Sequence, residues 1–218
     1  MVADLTGRWL LVAGDPRAAA AVADEAFRCG ADVTLATGAG GEGGASTEGD
    51  AIRYDGASEA DIERTVDIVL ERVHGLDGLI VAIETGTMPP LDEEDLQSWE
   101  RCVVQPLRTI FWLARRCVHE LLAAGRGGQV VFVIASARDE GGLGSEWIVE
   151  GALVSLARSI AKEYGRRGIT CNVVAGGLSA SAQRAAVEAA LFLASPAAGF
   201  VTGECLRLAE DSIGCEST

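Results

Sequence analysis

Short apolar segments alternate with amphipathic segments along nearly the whole chain, and this alternation limits the folds that the sequence can adopt. The apolar runs predict strands at residues 10–13, 33–36, 51–54, 78–83, 129–135, 170–175 and 205–209. Helical periodicity between them predicts helices at residues 16–29, 59–73, 93–124, 147–164 and 182–193, the third of them bent at Pro106. This order is typical of an α/β fold, a doubly wound parallel sheet with helices on both faces.

The composition fits one domain without a linker. The chain has 218 residues, of which 49% are hydrophobic, and this is enough to bury one core. No internal repeat divides the sequence, and its one low-complexity segment, at residues 38–50, is rich in glycine and is predicted to be a loop. We therefore expect residues 1–218 to form a single domain.

The charge and the cysteines exclude several kinds of partner. A net charge of −14 argues against nucleic acid and anionic membranes, because binding these polyanions needs clustered lysine and arginine. No apolar run is long enough to cross a membrane, and we expect no signal peptide. Six scattered cysteines and two histidines on charged helices predict reduced thiols, no metal site and a cytoplasmic location.

The segment AGDPRAAA has the position of a phosphate-binding turn but few of its glycines. Gly14 is present, whereas Ala18 and Ala20 stand where later glycines would let the backbone approach a pyrophosphate. Asp15 is predicted to cap the first helix, its carboxylate accepting the N–H groups that would otherwise bind phosphate. It would also repel a phosphate 4 Å away by about 4 kcal/mol near a protein surface. These residues predict a closed anion site, unless Arg17 restores phosphate binding.

Longer stretches carry a resemblance to a known family. The chain resembles the short-chain dehydrogenase/reductase (SDR) family over residues 7–208, most specifically in SWERCVVQPLRTIFWLARRCV, GGQVVFVIAS, GALVSLARSIAKEYGRRGITCNVVAGG and FLASPAAGFVTGECLRL. The resemblance implies a Rossmann-like sheet and, in an intact member, hydride transfer with a nicotinamide cofactor.

When the family's functional positions are matched to this sequence one by one, the resemblance implies that one cofactor contact is kept and that other functional residues are replaced. Asp55, in YDG, matches the acid that contacts the adenine. The asparagine-rich element after the fourth strand falls on residues 81–84 and ends at Glu84. The asparagine of the long helix falls on Pro106, and the serine that orients substrate falls on Ala135.

The tyrosine and lysine of the family, four residues apart, fall on Glu146 and Glu150. A slip of one residue would place them on Trp147 and Gly151, which serve no better. The tyrosine exchanges a proton with the substrate oxygen, and the lysine lowers the tyrosine pKa and holds the cofactor ribose. Glutamates at both positions would replace the positive charge of the lysine with negative charge and would leave no tyrosine to exchange the proton. We therefore expect no hydride transfer.

The segment that covers the substrate in the family is also reduced. Only LSASAQRA separates Gly177 from the body of the next helix, where the family has a lid of a few dozen residues. With the glycine motif, the catalytic residues and the lid all altered, we expect that NAD(P) binding is lost and that no other cofactor replaces it.

Two long helices, at residues 106–124 and 147–164, retain more apolar residues than one core-facing stripe needs. The predicted core stripe of the first contains Leu107, Ile110, Phe111, Ala114, Cys117, Val118 and Leu121. Apolar residues predicted to lie outside the stripes are Trp99, Trp112, Leu113, Leu122, Trp147 and Ile148. In the SDR family these helices build the main subunit interface, so the resemblance implies an interface there.

Three functions stay open on the sequence. The first is a pseudoenzyme subunit that pairs with an active SDR oxidoreductase to form or stabilise a hetero-oligomeric dehydrogenase or ketoreductase. The second is an isomerase, cyclase, dehydratase or lyase in which Glu84, Glu146 and Glu150 act as acids and bases in the old substrate cleft. The third is a regulator that binds a nucleotide fragment through Asp55.

Overall fold

The computed structural model describes residues 3–38, 46–48, 51–73, 75–85, 92–93, 95–136, 145–177 and 180–208. Within these ranges it describes only the backbone of residues 46–48, 136, 145, 146, 177 and 180. In this part of the chain, no helix combines the length and the apolar character that a membrane span requires.

One sheet organises the described residues, and its strands confirm the predicted doubly wound class. The strands are β1 (Trp9–Gly14), β2 (Asp32–Gly38), β3 (Ser46–Glu48), β4 (Ala51–Tyr54), β5 (Gly78–Thr85), β6 (Gly128–Ser136), β7 (Ile169–Gly177) and β8 (Cys205–Arg207). Their order is β3-β4-β2-β1-β5-β6-β7-β8, and every neighbouring pair is parallel except β3 with β4. The antiparallel β3 lies inside the predicted loop, because three polar residues among glycines carry no readable periodicity.

Helices cover both faces of the sheet. They are α1 (Pro16–Arg28), α2 (Glu59–Arg72), α3 (Leu96–Trp99), α4 (Gln105–Ala124), α5 (Ser145–Tyr164) and α6 (Ala180–Ala194). Buried residues of α2, α4 and α5 form one core with the sheet, and those of α1 and α6 form a second core on the other face. Each face is therefore shielded from water, as the continuously apolar strands require.

The predicted long helix is interrupted just before Pro106. A π-helical turn, Glu100–Val104, separates α3 from α4. Proline has no N–H with which to continue the α-helical ladder, so the irregular turn lies where the bend is predicted.

The candidate site lies where the order of the sheet reverses, at the carboxyl ends of β1 and β5. Gly14 ends β1 with a φ of 129°, and a Cβ there would lie 1.9 Å from the carbonyl oxygen of Ala82 on β5. The close approach of the two strands alone therefore requires glycine at this position, whether or not a ligand binds.

Candidate functional site

Asp15 joins the start of α1 to the end of β5 instead of capping its own helix. It occupies the N-cap position, but its carboxylate makes no capping hydrogen bond. Oδ2 instead accepts the backbone N–H of Glu84 at 2.5 Å, and the Asp15 N–H donates to the Ala82 carbonyl at 2.9 Å. The prediction of a carboxylate cap was wrong because β1 stops pairing at Gly14, and the carboxylate takes the next amide along β5.

Arg17 and Glu84 form a two-pronged ion pair across the same junction. Arg17 Nε lies 2.9 Å from Glu84 Oε1, and Nη2 lies 3.1 Å from Oε2. The arginine is 72% exposed and the glutamate 30%, so the pair contributes little to stability. It does place a carboxylate between the first turn of α1 and the end of β5.

Burial and a neighbouring carboxylate control the electrostatics of this junction. Burial raises the pKa of Asp15, the hydrogen bond from Glu84 N–H opposes this, and the charge of Glu84 raises the pKa again. Tyr54 is 1% exposed, and burial followed by the charge of Asp15 raises the pKa of its hydroxyl. The junction thus concentrates negative charge in a partly dry environment.

Two cavities adjoin the junction. One of about 340 Å³ lies on the α4 side, between Gly14, Tyr54, the end of β5 and the first turn of α4. A smaller one of about 60 Å³ lies between α1 and α6. Glu84 lines both cavities, so a ligand that spanned them would contact this residue.

Asp55 follows β4, and its carboxylate holds the turn before α2. Oδ1 accepts the N–H of Ala57 at 2.9 Å, two residues along the chain. The next residue, Gly56, accepts a hydrogen bond from the Thr109 hydroxyl of α4 at 2.7 Å. The local structure therefore accounts for one oxygen of Asp55 without any ligand.

The three acids predicted for non-redox chemistry are not brought together. Glu150 is buried on α5, and its Oε1 lies 2.6 Å from Arg207 on β8. Glu84 lies on β5, three strand positions away from β8, roughly 14 Å across the sheet. The side chain of Glu146 lies outside the described residues. Two of the three acids are thus already paired, each with a different arginine.

Cys205 lies beside the Glu150–Arg207 pair, with Sγ 3.9 Å from Glu150 Oε1. Burial, and then the charge of Glu150, raise the pKa of its thiol. A thiol held neutral in this way is a poor nucleophile. Neither Cys205 nor Arg207 is marked as functional by the sequence pattern, since both lie more than 50 residues from Glu150.

Tyrosine and lysine are rare in this chain and lie away from the start of α5. Its two tyrosines are Tyr54 and Tyr164, and its single lysine is Lys162. Tyr164 ends α5, about 20 Å along the helix from Glu150.

The connection at which the family has its lid is short. β7 ends at Gly177 and α6 begins at Ala180, which leaves two residues between them.

A second, larger concavity lies between α4 and α5. We call it the α4–α5 groove, a cavity of about 800 Å³. Its apolar lining comprises Phe111, Ala114, Val118, Leu122, Leu156, Ile160 and the ring of Tyr164. Charged side chains form the rim, where Arg116 on α4 lies 2.8 Å from both Glu63 and Asp67 on α2.

Some side chains of α4 do not point in the predicted direction. Leu113, predicted to face a partner, is fully buried in the core, whereas Phe111, predicted to be core, is 49% exposed. Trp99 and Trp112 are half-buried against the core. Leu122 lines the groove as expected, and Trp147 and Ile148 are exposed on the first turn of α5. The stripe is rotated because α4 packs against α2 as well as against the sheet.

Comparison with known proteins gives a consistent family. A family model described as "Enoyl-(Acyl carrier protein) reductase" matches residues 18–188. Among curated relatives, 3beta-hydroxysteroid dehydrogenase 2 of Eggerthella lenta is 26% identical over an alignment of 192 residues, and the match covers 73% of each chain. A sorbitol dehydrogenase of Cereibacter sphaeroides is 26% identical over 130 residues, but the match spans only 51% of that protein.

Solved structures show the same fold. A short-chain dehydrogenase/reductase from Serratia marcescens is 23% identical, with a TM-score of 0.74 over 94% of this chain and 97% of that one. A short-chain dehydrogenase/reductase from Burkholderia xenovorans is 20% identical, with a TM-score of 0.78 over 94% of this chain and 96% of that one.

Proposed function

Because the chain belongs to the short-chain dehydrogenase/reductase family, we propose that it is a non-catalytic subunit of an oxidoreductase. It pairs through the α4–α5 groove with an active partner of the same family. The observation that carries this proposal is the composition of α5. Its first turns hold a buried glutamate paired with an arginine, and the chain's only lysine lies at its far end.

Proton transfer is the first requirement for catalysis. Reduction of a carbonyl in this family depends on a tyrosine whose pKa a nearby lysine lowers. Burial, and then the charge of the neighbouring Asp15, raise the pKa of the Tyr54 hydroxyl and keep it protonated. Glu150 offers a negative charge that Arg207 already neutralises. No described group can take the place of the tyrosine–lysine pair.

A bound cofactor is the second requirement for catalysis. A dinucleotide diphosphate needs close approach to the turn after β1 and to the N-terminus of α1. The methyl group of Ala18 and the carboxylates of Asp15 and Glu84 lie around that turn. We infer that these residues do not fit a diphosphate, and no reaction step is assigned to NAD(P) in this chain.

The surface formed by α4 and α5 supports the pairing. Together α4 and α5 carry five basic and four acidic side chains, although the whole chain has a net charge of −14. These two helices therefore carry none of the chain's net negative charge, which favours contact with another acidic protein. Exposed Phe111 lies at the groove, and Trp147 and Ile148 are exposed on α5; apolar exposure of this kind marks interaction surfaces.

The partner's chemistry follows from the family. The matched relatives bear the names of dehydrogenases, so the partner is expected to be a dehydrogenase or ketoreductase with an intact tyrosine and lysine. The non-redox alternative gains no support from the described contacts, because Glu84 on β5 and Glu150 on α5 are ion-paired with different arginines.

The proposal is tested by co-expression with an intact SDR from the same genome, taken first from the neighbouring genes. We expect a stable complex whose reductase activity exceeds that of the partner alone. Phe111→Arg, which places a charge in the groove, should reduce co-purification and activity about tenfold or more. Phe27→Arg changes an exposed phenylalanine on the other face of the sheet and is the matched control. Pairing unaffected by Phe111→Arg, or turnover by this chain alone, would contradict the proposal.

A further inference from the structure

Basic side chains are concentrated at the end of α5 and in the 3₁₀ turn that follows it, Gly165–Arg167. Four of the chain's 18 basic residues lie within residues 158–167, and Glu163 is the single acid in this segment. All four are exposed, and we call them the basic end of α5: Arg158, Lys162, Arg166 and Arg167. Positive charge is thus concentrated here, although the whole chain has a net charge of −14.

The basic end of α5 has no acidic partner among the described residues. Elsewhere the arginines that form ion pairs are Arg17, Arg28, Arg108, Arg115, Arg116, Arg126 and Arg207. The chain has 32 acids for 18 bases, so its basic residues have many carboxylates with which to pair. The fold leaves this one group of bases free to bind a carboxylate from outside.

Backbone contacts on two sides hold the basic end of α5 in place. Gly203, which precedes β8, lies so close to α5 that a Cβ there would be 3.7 Å from Arg158 Cγ. At the other end, the carbonyl of Gly168, directly after Arg167, accepts the N–H of Gly128 at 3.1 Å. The four bases are therefore carried by packed elements, which lowers the entropy cost of binding a ligand to them.

The helix dipole explains only part of this concentration of charge. Cations near the C-terminus of a helix are stabilised by its dipole, but the effect falls off within the last turn. Lys162 lies in the last turn of α5, whereas Arg158 lies six residues before the helix ends at Tyr164. A role in stabilising the helix end therefore does not account for Arg158.

The spacing of the bases fits an extended acidic peptide. Side chains four residues apart on a helix, such as Arg158 and Lys162, are about 6 Å apart along its axis. Every second side chain of an extended peptide points to the same face and lies about 7 Å from the next. Alternate carboxylates of such a peptide would each meet one base, and an arginine can hold a carboxylate by two parallel hydrogen bonds.

The size of the basic end of α5 favours a short peptide over a nucleic acid. From Arg158 to Arg167 it extends about 14 Å along the helix direction, which corresponds to roughly four residues of extended peptide. A nucleic acid would continue beyond it onto the surface of a chain whose net charge is −14, where its phosphates would be repelled.

We propose that the basic end of α5 docks a short acidic segment of a partner protein, bound as an extended strand with a carboxylate at every second residue. Arg158, Lys162 and Arg166 each bind one carboxylate, and Arg167 adds positive charge at the turn. None of these residues lines the α4–α5 groove, so the inference does not depend on the pairing proposed for that groove.

Fluorescence anisotropy of the full chain with a labelled peptide of four glutamates alternating with serines tests the docking. We expect binding in about 50 mM salt, and binding about tenfold weaker or more in about 0.5 M salt, which screens surface charges. The same peptide with glutamine in place of glutamate should also bind about tenfold more weakly. Equal binding of the two peptides, or no binding of the glutamate peptide at low salt, would overturn the proposal.

Two triple variants of equal net charge locate the site. Arg158→Gln, Lys162→Gln and Arg166→Gln together should weaken binding of the glutamate peptide about tenfold or more. The matched control changes three exposed arginines on α2, the π-helical turn and α6, and should keep the wild-type affinity: Arg64→Gln, Arg101→Gln and Arg184→Gln. Equal losses in the two variants would overturn the proposal, because only the net charge would then matter.

Two further measurements separate this docking from other interactions. An oligothymidylate of about 20 nucleotides should bind less tightly than the glutamate peptide, and tighter binding would overturn the choice of an acidic peptide. Phe111→Arg should retain the full peptide affinity, because Phe111 lies in the α4–α5 groove. Failure of the pairing and failure of the docking are therefore observed independently.

Discussion

The carboxyl edge of the sheet and the α4–α5 groove differ in how their charges are used. At the edge, Glu84 is paired with Arg17 and Glu150 with Arg207, so the charges link elements of the same chain. In the groove, the arginines pair with acids around the rim and leave an apolar floor open. The acids at the edge are therefore paired within the chain. The apolar lining of the groove, in contrast, is not covered by any of the described residues.

A residue can be required by the fold as well as by a ligand, and Gly14 is an example. Gly14 is where the family has its first glycine, yet strand packing against Ala82 is sufficient to require it. Retained family residues at the edge are therefore not by themselves signs of cofactor binding.

The largest expected effect comes from Gly14→Ala. Its methyl group would lie 1.9 Å from the Ala82 carbonyl oxygen at a positive φ, so we expect a loss of about 4 kcal/mol without any ligand. Gly151→Ala on α5 meets no atom within 4 Å and should stabilise by about 0.5–1 kcal/mol. Urea denaturation measures both. Wild-type stability in Gly14→Ala would mean that the glycine serves a ligand instead.

Substitutions on the two faces of α4 should differ in their cost to stability, and this is the next largest effect. Leu113→Ala removes a fully buried side chain and should cost about 3 kcal/mol. Phe111→Ala changes a residue that is 49% exposed and should cost under about 1 kcal/mol in the isolated chain. Equal losses in denaturation experiments would show that Phe111 is part of the core and that the groove is not an open surface.

Arg207→Ala tests how much the ion pair between Glu150 of α5 and Arg207 of β8 contributes to stability. It leaves the carboxylate of Glu150, whose side chain is 5% exposed, without its partner. We expect a loss of about 2 kcal/mol, below the full cost of breaking a buried pair because Arg207 is itself 56% exposed. Arg207→Lys should recover part of this. A neutral effect of Arg207→Ala on the melting temperature would argue that Glu150 is free for another role.

The smallest effect is a pH dependence at Asp15. Its pKa is higher in the folded than in the unfolded chain, so the folded state holds the proton more tightly and stability falls as pH rises through that interval. Asp15→Asn keeps an acceptor for the Glu84 N–H and removes this penalty. The variant should be more stable than wild type at pH 7, with the difference vanishing below about pH 3.9. A difference that grows on acidification would reverse the assigned sign.

The sequence predicts the sheet class and most elements because periodicity and turn residues are local signals. Strand ends extend by one or two residues, as in β5, since pairing with neighbours prolongs them. The bend near Pro106 is equally local, because it follows from the missing N–H.

The site is less predictable because its contacts join distant residues. Asp15 could bond to its own helix or to β5, and only the packed sheet decides. Arg17 and Glu84 both stand out in the sequence, but their pairing spans 67 positions. The rotation that buries Leu113 and exposes Phe111 depends on α2, which no periodicity within α4 records.

Titration of the purified chain with NADH and NADPH, followed by an assay for hydride transfer to ketones, tests whether the turn after β1 is closed to a dinucleotide. We expect no binding heat at concentrations on the order of 1 mM, the upper range of ordinary enzyme affinities, and no turnover. Micromolar binding of either nucleotide accompanied by turnover would contradict it, because the junction of Asp15, Arg17 and Glu84 would then admit a diphosphate.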